Sequence, residues 1–188
     1  MPCLAIHLAV AKKYLEKHHD LNHDDFIKGT LAPDLGMDNI DKYIKLERND
    51  KDGRHFGLTY KARTITDYMG RKIDFKLFFK DNDINTSFLK AYFLHLLCDF
   101  YFFRDGIPSD KIKNLSLEES IRLGYNDYDL ITPILINKYD LEVPIEVKEI
   151  MSRKGHGNLI FLNEDDVYKF IDEMSNLDLD DEKIKKTS

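Results

Sequence analysis

The sequence contains few cysteines and shows no export signal. Its two cysteines, Cys3 and Cys98, are too few for a disulfide scaffold. The N-terminal segment has no basic start and no long apolar core, because His7, Lys12 and Lys13 interrupt its apolar residues. Such a segment differs from a secretory signal peptide. We therefore expect a cytoplasmic protein in which both cysteines are reduced thiols.

Long hydrophobic runs and an excess of positive charge are also missing. The most apolar stretch, residues 88–103, contains Lys90, His95 and Asp99 and so falls short of the roughly 18–20 apolar residues of a membrane span. The net charge of −6 argues against a protein that binds nucleic acid by neutralising many phosphates, although a metal-dependent nuclease remains compatible with it. We expect neither a transmembrane segment nor a nucleic-acid scaffold as a partner.

Helix signals are what the sequence contains in abundance. The chain of 188 residues, 43% of them hydrophobic, has the size of one globular domain. Helical spacing and capping residues predict helices over residues 3–17, 24–28, 74–79, 88–103 and 164–174, with weaker spacing over 62–69. Further helices are expected after the capping box at Ser116 and Glu119, with a kink or break at Pro133, and after Pro144. The prediction is an all-α, single-domain helical bundle over residues 1–177, followed by a frayed tail over 178–188.

The central apolar segment carries a histidine and a carboxylate one helical turn apart. On a helix, His95 and Asp99 lie on the same face and can point at one object. The segment is apolar on nearly every side, so neither group is expected to reach water. A divalent metal would satisfy both groups. A hydrogen bond between them inside the core would do the same.

Three more polar residues are expected to be buried or rigidly placed. His7 falls on the inward face of the first helix, where it either makes a structural hydrogen bond or binds a metal. Gly29 is expected to end the second helix, and Pro33 then presents Asp34 from a stiff turn, as a helix cap or as a ligand. His55 follows a charged loop and is either a ligand or an exposed loop residue. The other histidines lie in polar segments and are expected to be exposed: His18, His19, His23 and His156.

In order and spacing, these residues resemble the zinc-dependent phospholipase C family and the related S1/P1 nuclease fold. That pattern has an N-terminal helix with a histidine, a Gly-x-x-x-Pro-Asp turn, a His-Phe step and a His-x-x-x-Asp helix. The corresponding residues here are His7, Gly29 to Asp34, His55 with Phe56, and His95 with Asp99. The similarity covers mainly residues 3–103.

The resemblance implies a ligand set. Asp34, His55, His95 and Asp99 would enclose one metal, and Asp99 would bridge to a second metal held by His7 and by the amino-terminal residue, Met1 or Pro2. The family's third site would correspond to residues 125–129, where tyrosine replaces the family's histidine, so we do not expect a third ion. Asp129 is a candidate ligand from this segment, with a surface position as the alternative.

The same resemblance implies hydrolysis of a phosphodiester by a water activated between two metals. Zinc is the expected metal, and manganese or iron can use the same ligands. Asp34 would orient the attacking water as general base, and the substrate would be a small phosphoester. Arg54 would either bind the substrate phosphate or remain a solvated charge. The alternative is a non-catalytic metal-binding or regulatory helical protein with a degenerate site of this type.

Overall fold

The computed structural model describes residues 3–57, 73–105 and 115–181 and is helical, as expected. Within these ranges no β-strand occurs, and one isolated bridge pairs Gly57 with Ile73. Two short 3-10 turns, Ile40–Lys42 and Ile145–Val147, lie between helices. The helices are α1 Leu4–Leu15, α2 His23–Leu35, α3 Lys51–Arg54, α4 Phe75–Asp81, α5 Ser87–Asp105, α6 Leu117–Tyr139, α7 Lys148–Met151 and α8 Glu164–Met174. The helix expected over residues 62–69 lies outside the described residues.

Helix α5 forms the centre of the bundle. Every residue from Ala91 to Asp99 is buried, as the apolar composition of this segment predicts. The hydroxyl of Thr86 accepts a hydrogen bond from the backbone N–H of Leu89 at 3.2 Å and caps the helix start. Helix α2 forms the most extensive contact with α5, while α1 packs against α2, α5, α6 and α8. His95 and Asp99, the two polar residues in the buried part of α5, are thereby enclosed by α1 and α2.

Helix α2 does not end at Gly29, so that prediction is wrong. Gly29 lies inside the helix, where it faces α5 so closely that an added Cβ would stand 2.2 Å from the carbonyl oxygen of Phe88. Glycine is therefore needed here for close helix packing and not for a helix end. The tight contact brings the second half of α2 next to His95.

We expect Gly29→Ala to destabilise the protein by about 1–3 kcal/mol, because backbone must move to admit the new methyl group. Gly124→Ala is the matched control, since Gly124 is also helical but has open space around its Cβ position. That control should be neutral or stabilising by up to about 1 kcal/mol, because alanine is the better helix former. Denaturant unfolding of both variants tests this, and equal effects at the two sites would contradict it.

Pro33 also lies within α2, contrary to the expected stiff turn after the helix. It is in the last turn, and the helix continues to Leu35 before Gly36 ends it with a φ of 68°. Proline has no N–H, so the bond to the carbonyl of Gly29 is missing at this point of the helix. Arg54 covers the helix end, with its Nε donating to the carbonyl of Pro33 at 3.1 Å. Asp34 is therefore presented from the final turn of a helix.

Pro133 likewise lies inside a helix, because α6 continues through it without a break.

Several predicted helix starts are confirmed, but the tail is not frayed throughout. The expected capping box at Ser116 and Glu119 is formed. Side chains cap the starts of α2, α4, α6 and α8: Asn22, Asp74, Ser116 and Asn163. In the expected tail, Leu179 is buried and Asp180 accepts a bond from Lys90 at 3.0 Å. Leu179 is thus packed against the core, whereas Asp178, Asp180 and Asp181 are exposed, and the remainder of the tail lies outside the described residues. None of the helices in the described ranges has the length and apolarity of a membrane span.

Candidate metal centre

Four segments of the chain bring five candidate ligands together in the interior. His7 comes from α1, Asp34 from the last turn of α2, His55 from the residue after α3, and His95 and Asp99 from α5. The side chains of His7 and His95 are 0% exposed, that of Asp99 is 4% exposed, and those of Asp34 and His55 are 8% and 10% exposed. The cluster is therefore buried on the α1 side and opens narrowly on the side of Asp34 and His55.

Asp99 lies at the middle of the cluster. Its Oδ1 is 3.3 Å from Nε2 of His7. Its Oδ2 is 3.4 Å from Nε2 of His55 and 3.7 Å from Nε2 of His95. The two carboxylate oxygens thus face different histidines. The spacing to His95 exceeds a hydrogen bond, so the proposed His95–Asp99 bond of a purely structural core is not formed.

Asp34 completes the group on the open side. Its Oδ1 lies 3.6 Å from Nε2 of His55. Two sets of ligand atoms each lie within 4.8 Å of one another: His7, His95 and Asp99, and Asp34, His55 and His95. The structure therefore brings together five of the six ligands expected from the sequence.

Two histidines are oriented by backbone carbonyls. Nδ1 of His95 lies 2.7 Å from the carbonyl oxygen of Thr30, and Nδ1 of His55 lies 2.7 Å from that of Lys51. A carbonyl only accepts, so each Nδ1 carries the proton and donates it, and each Nε2 is left with its lone pair. Both lone pairs belong to the nitrogens that face the carboxylates. This arrangement is the usual one for histidines that bind a metal through Nε2.

The atoms that face one another in the cluster lack hydrogen-bond partners. They are both ring nitrogens of His7, Nε2 of His55, Nε2 of His95, Oδ1 of Asp34 and Oδ1 of Asp99. Buried polar atoms are nearly always paired in folded proteins, and leaving one unpaired costs about 1–3 kcal/mol. Six such atoms in one cluster fit a site for metal cations. A polar core held together by its own hydrogen bonds would not leave these atoms without partners.

The electrostatics of the site favour the protonation states that metal ligands require. Burial lowers the pKa of His95 to about 3, and the neighbouring His7 acts in the same direction, so His95 is neutral at pH 7. Burial raises the pKa of Asp99, but the surrounding imidazoles of His95, His7 and His55 outweigh it and hold that pKa below its usual range. Burial and the neighbouring Asp99 raise the pKa of Asp34, but His95, His7 and His55 outweigh them and lower it. A neutral His95 with ionised Asp34 and Asp99 is the state that metal binding requires of these three residues.

The stacking of His7 on His95 bears on the number of ions. Their ring centroids are 3.7 Å apart and the ring planes differ by 6°. An ion midway between the rings would lie about 1.8 Å outside each plane, nearly as far as the whole bond of about 2.1 Å to a ligating nitrogen. A lone pair lies in the plane of its ring, so these two histidines cannot bind the same ion well. If both histidines bind metal, each would therefore bind a separate ion.

The structure places the sixth predicted ligand elsewhere. Asp129 is half-buried on α6 and belongs to neither ligand group. The buried carboxylate of that helix is Asp127, which is 0% exposed and accepts backbone N–H bonds from Ile160, Phe161 and Leu162. The proposed ligand at the amino terminus lies outside the described residues.

Sequence patterns missed the groups that support the ligands. Thr30 and Lys51 act through their backbone carbonyls, which every residue has, so no residue type could indicate them. Arg54 is neither a solvated charge nor aimed at the cluster, because its guanidinium donates to the carbonyls of Pro33 and Asn49. His19, His23 and His156 are exposed as expected, whereas His18 is half-buried and stacks on Tyr14.

Comparisons with known protein families, with curated proteins and with solved structures found no match to this chain, so the site has to be interpreted from its own geometry.

Proposed function

We propose that this protein is a metal-dependent phosphoesterase that hydrolyses a phosphodiester. The observation that carries the proposal is the cluster of buried ligand atoms without hydrogen-bond partners from His7, Asp34, His55, His95 and Asp99. A site made of three imidazoles and two carboxylates suits zinc, and also manganese or iron. When bound, two such ions supply a water of lowered pKa and positive charge for a phosphoryl oxygen.

The geometry supports a division of the ligands between two ions. Asp34, His55, His95 and Oδ2 of Asp99 would hold one ion, since these atoms approach one another on the open side. His7 and Oδ1 of Asp99 would hold the other ion. Asp99 then bridges the pair, which agrees with its two oxygens facing different histidines. The parallel rings of His7 and His95 support separate ions for the same reason.

Asp34 is the residue we assign to the reacting water. It is the carboxylate on the open side of the cluster, whereas Asp99 is enclosed by three histidines. Oδ1 of Asp34 lies 3.6 Å from Nε2 of His55. A carboxylate held beside a metal ligand can orient water and accept its proton.

A second candidate function is metal binding without catalysis. The burial of the cluster favours it, because side-chain exposure of the five residues ranges from 0% to 10%. A structural or regulatory site is closed by protein ligands, whereas a catalytic site keeps a position for water. Both candidate functions use the same metal ligands, but only the phosphoesterase would turn over a substrate.

Metal analysis combined with an activity assay tests both candidates. Purified protein should contain about two zinc, manganese or iron ions per chain, and it should hydrolyse bis(p-nitrophenyl) phosphate. Dialysis against chelator should abolish both properties, and added metal should restore them. Circular dichroism before and after chelation shows whether the fold is retained.

The possible outcomes separate the candidates. Protein that contains no metal and binds none when titrated contradicts both. Bound metal with no turnover of phosphodiesters or phosphomonoesters contradicts catalysis and supports the regulatory candidate. Turnover that persists without metal would contradict the proposed mechanism while leaving a phosphoesterase.

A further inference from the structure

A lysine lies at the open side of the candidate metal centre. Nζ of Lys51 is 3.3 Å from Oδ1 of Asp34. The side chain of Lys51 is 50% exposed, whereas that of Asp34 is 8% exposed. Lys51 thus extends from solvent to the edge of the cluster and brings a positive charge to one of the expected ligands.

The backbone of Lys51 is fixed by the same short helix that positions His55. Asp50 caps α3 by accepting a bond from the N–H of Gly53 at 2.7 Å. The carbonyl of Lys51 accepts the bond from Nδ1 of His55 at 2.7 Å. The turn is tight, since a Cβ on Gly53 would stand 2.3 Å from the carbonyl oxygen of Arg48. Lys51 therefore contacts two ligands, one through its backbone and one through its ammonium group.

The ammonium group and a metal ion would compete for the same oxygen. Oδ1 of Asp34 contacts both Nζ of Lys51 and Nε2 of His55. An ion bound to this oxygen at about 2.1 Å would lie within roughly 5.4 Å of Nζ, and the two positive charges would repel each other. Metal binding thus weakens the contact between Lys51 and Asp34. The ammonium group released from Asp34 is then available to an anion that enters the open side of the cluster.

We propose that Lys51 occupies Asp34 as a substitute cation in the metal-free protein and binds the phosphate group of the substrate once the metal is in place. This inference rests on the proposed function and assigns a substrate-binding residue to it. Arg54, the neighbouring cation, is already engaged with the carbonyls of Pro33 and Asn49. Lys51 has a side chain half in solvent and can turn from Asp34 to an incoming phosphate.

Lys51→Gln separates the two roles of the ammonium group, because the carbonyl that orients His55 is retained. Its zinc affinity, measured by competition with a chelating dye, should rise about 2–5-fold, the strength of an exposed ion pair. Inorganic phosphate should bind the zinc-loaded variant about 10–100-fold more weakly, as expected for a lost charge-assisted hydrogen bond. With a phosphodiester substrate, KM should rise more than kcat falls. Lys51→Arg should retain most of the phosphate affinity.

Lys80→Gln is the matched control, because Lys80 forms an ion pair with Glu47 at a similar distance, 3.6 Å, on another part of the surface. It should leave zinc affinity and phosphate affinity unchanged. Wild-type-like values for Lys51→Gln in a protein that does bind zinc would overturn this inference and leave the proposed function standing. A wild-type protein that binds no zinc would overturn both.

Discussion

Asp99→Asn is expected to remove metal binding, with zinc affinity lower by at least about 100-fold. Loss of groups that merely support a ligand costs about 10–100-fold in affinity, and Asp99 is a central ligand. Its two oxygens face His7 on one side and the pair of His55 and His95 on the other. An asparagine keeps the shape but provides one neutral oxygen in place of two charged ones. Both ions are therefore affected by this one change.

Thermal unfolding provides a readout that needs no substrate. Zinc at 100 times its dissociation constant should stabilise the wild-type protein by about 2.7 kcal/mol for each site that it occupies, provided that it binds only the folded state. Asp99→Asn should show no such zinc-dependent stabilisation. The comparison is made within each variant, with and without zinc, so a change in the stability of the metal-free chain does not affect it.

Asp129→Asn is the control for this prediction. The sequence placed Asp129 among the candidate ligands, but the structure leaves it outside both ligand groups. This variant should bind zinc and be stabilised by it like the wild type. Zinc binding that survives in Asp99→Asn, or is lost in Asp129→Asn, would show that the ligands have been misassigned.

Three of the five clustered residues were predictable because each conflicts with its local sequence. His95 and Asp99 stand in a segment that is otherwise buried on every side, and His7 lies on the inward face of an apolar helix. A buried ionisable group needs a partner, so such conflicts indicate a site. Residue type and helical period alone carry this information. The resemblance to the phospholipase C and P1 nuclease pattern added the grouping, and it remains a hypothesis.

The backbone around the ligands was less predictable. Gly29 and Pro33 are ordinary helix-ending residues, yet both lie inside α2. The reason is tertiary, because close contact with Phe88 requires glycine and Arg54 covers the end of the helix. Local propensity contains no information about the helix that packs opposite. The structure brings Asp34 to His55 and His95, but from the last turn of a helix and not from the expected turn after it.

The choice between Asp127 and Asp129 shows the same limit. The two residues lie two positions apart on α6, so they point to different sides of the helix. Asp129 was chosen because of its place in the family's pattern. The side of α6 that faces inward depends on where the chain returns after α7, and there the N–H groups of residues 160–162 meet Asp127. No spacing within α6 contains that information.

Asp127→Ala is expected to destabilise the protein by about 3 kcal/mol or more without changing its ligands for metal. The Asp127 side chain accepts bonds from Ile160 at 3.0 Å, Phe161 at 2.7 Å and Leu162 at 2.9 Å. Alanine leaves these N–H groups without an acceptor, at about 1–3 kcal/mol for each one that stays buried. For a chain of this size, about 3 kcal/mol lowers Tm by roughly 6–12 °C.

Asp129→Ala is again the matched control, and it should change stability by no more than about 0.5 kcal/mol, as most substitutions away from buried networks do. The folded fraction of Asp127→Ala should still bind zinc with wild-type stoichiometry, because Asp127 belongs to neither ligand group. Equal stability of the two variants would contradict the role of Asp127 in holding the loop before α8. Loss of zinc from folded Asp127→Ala would instead show that this loop supports the metal centre.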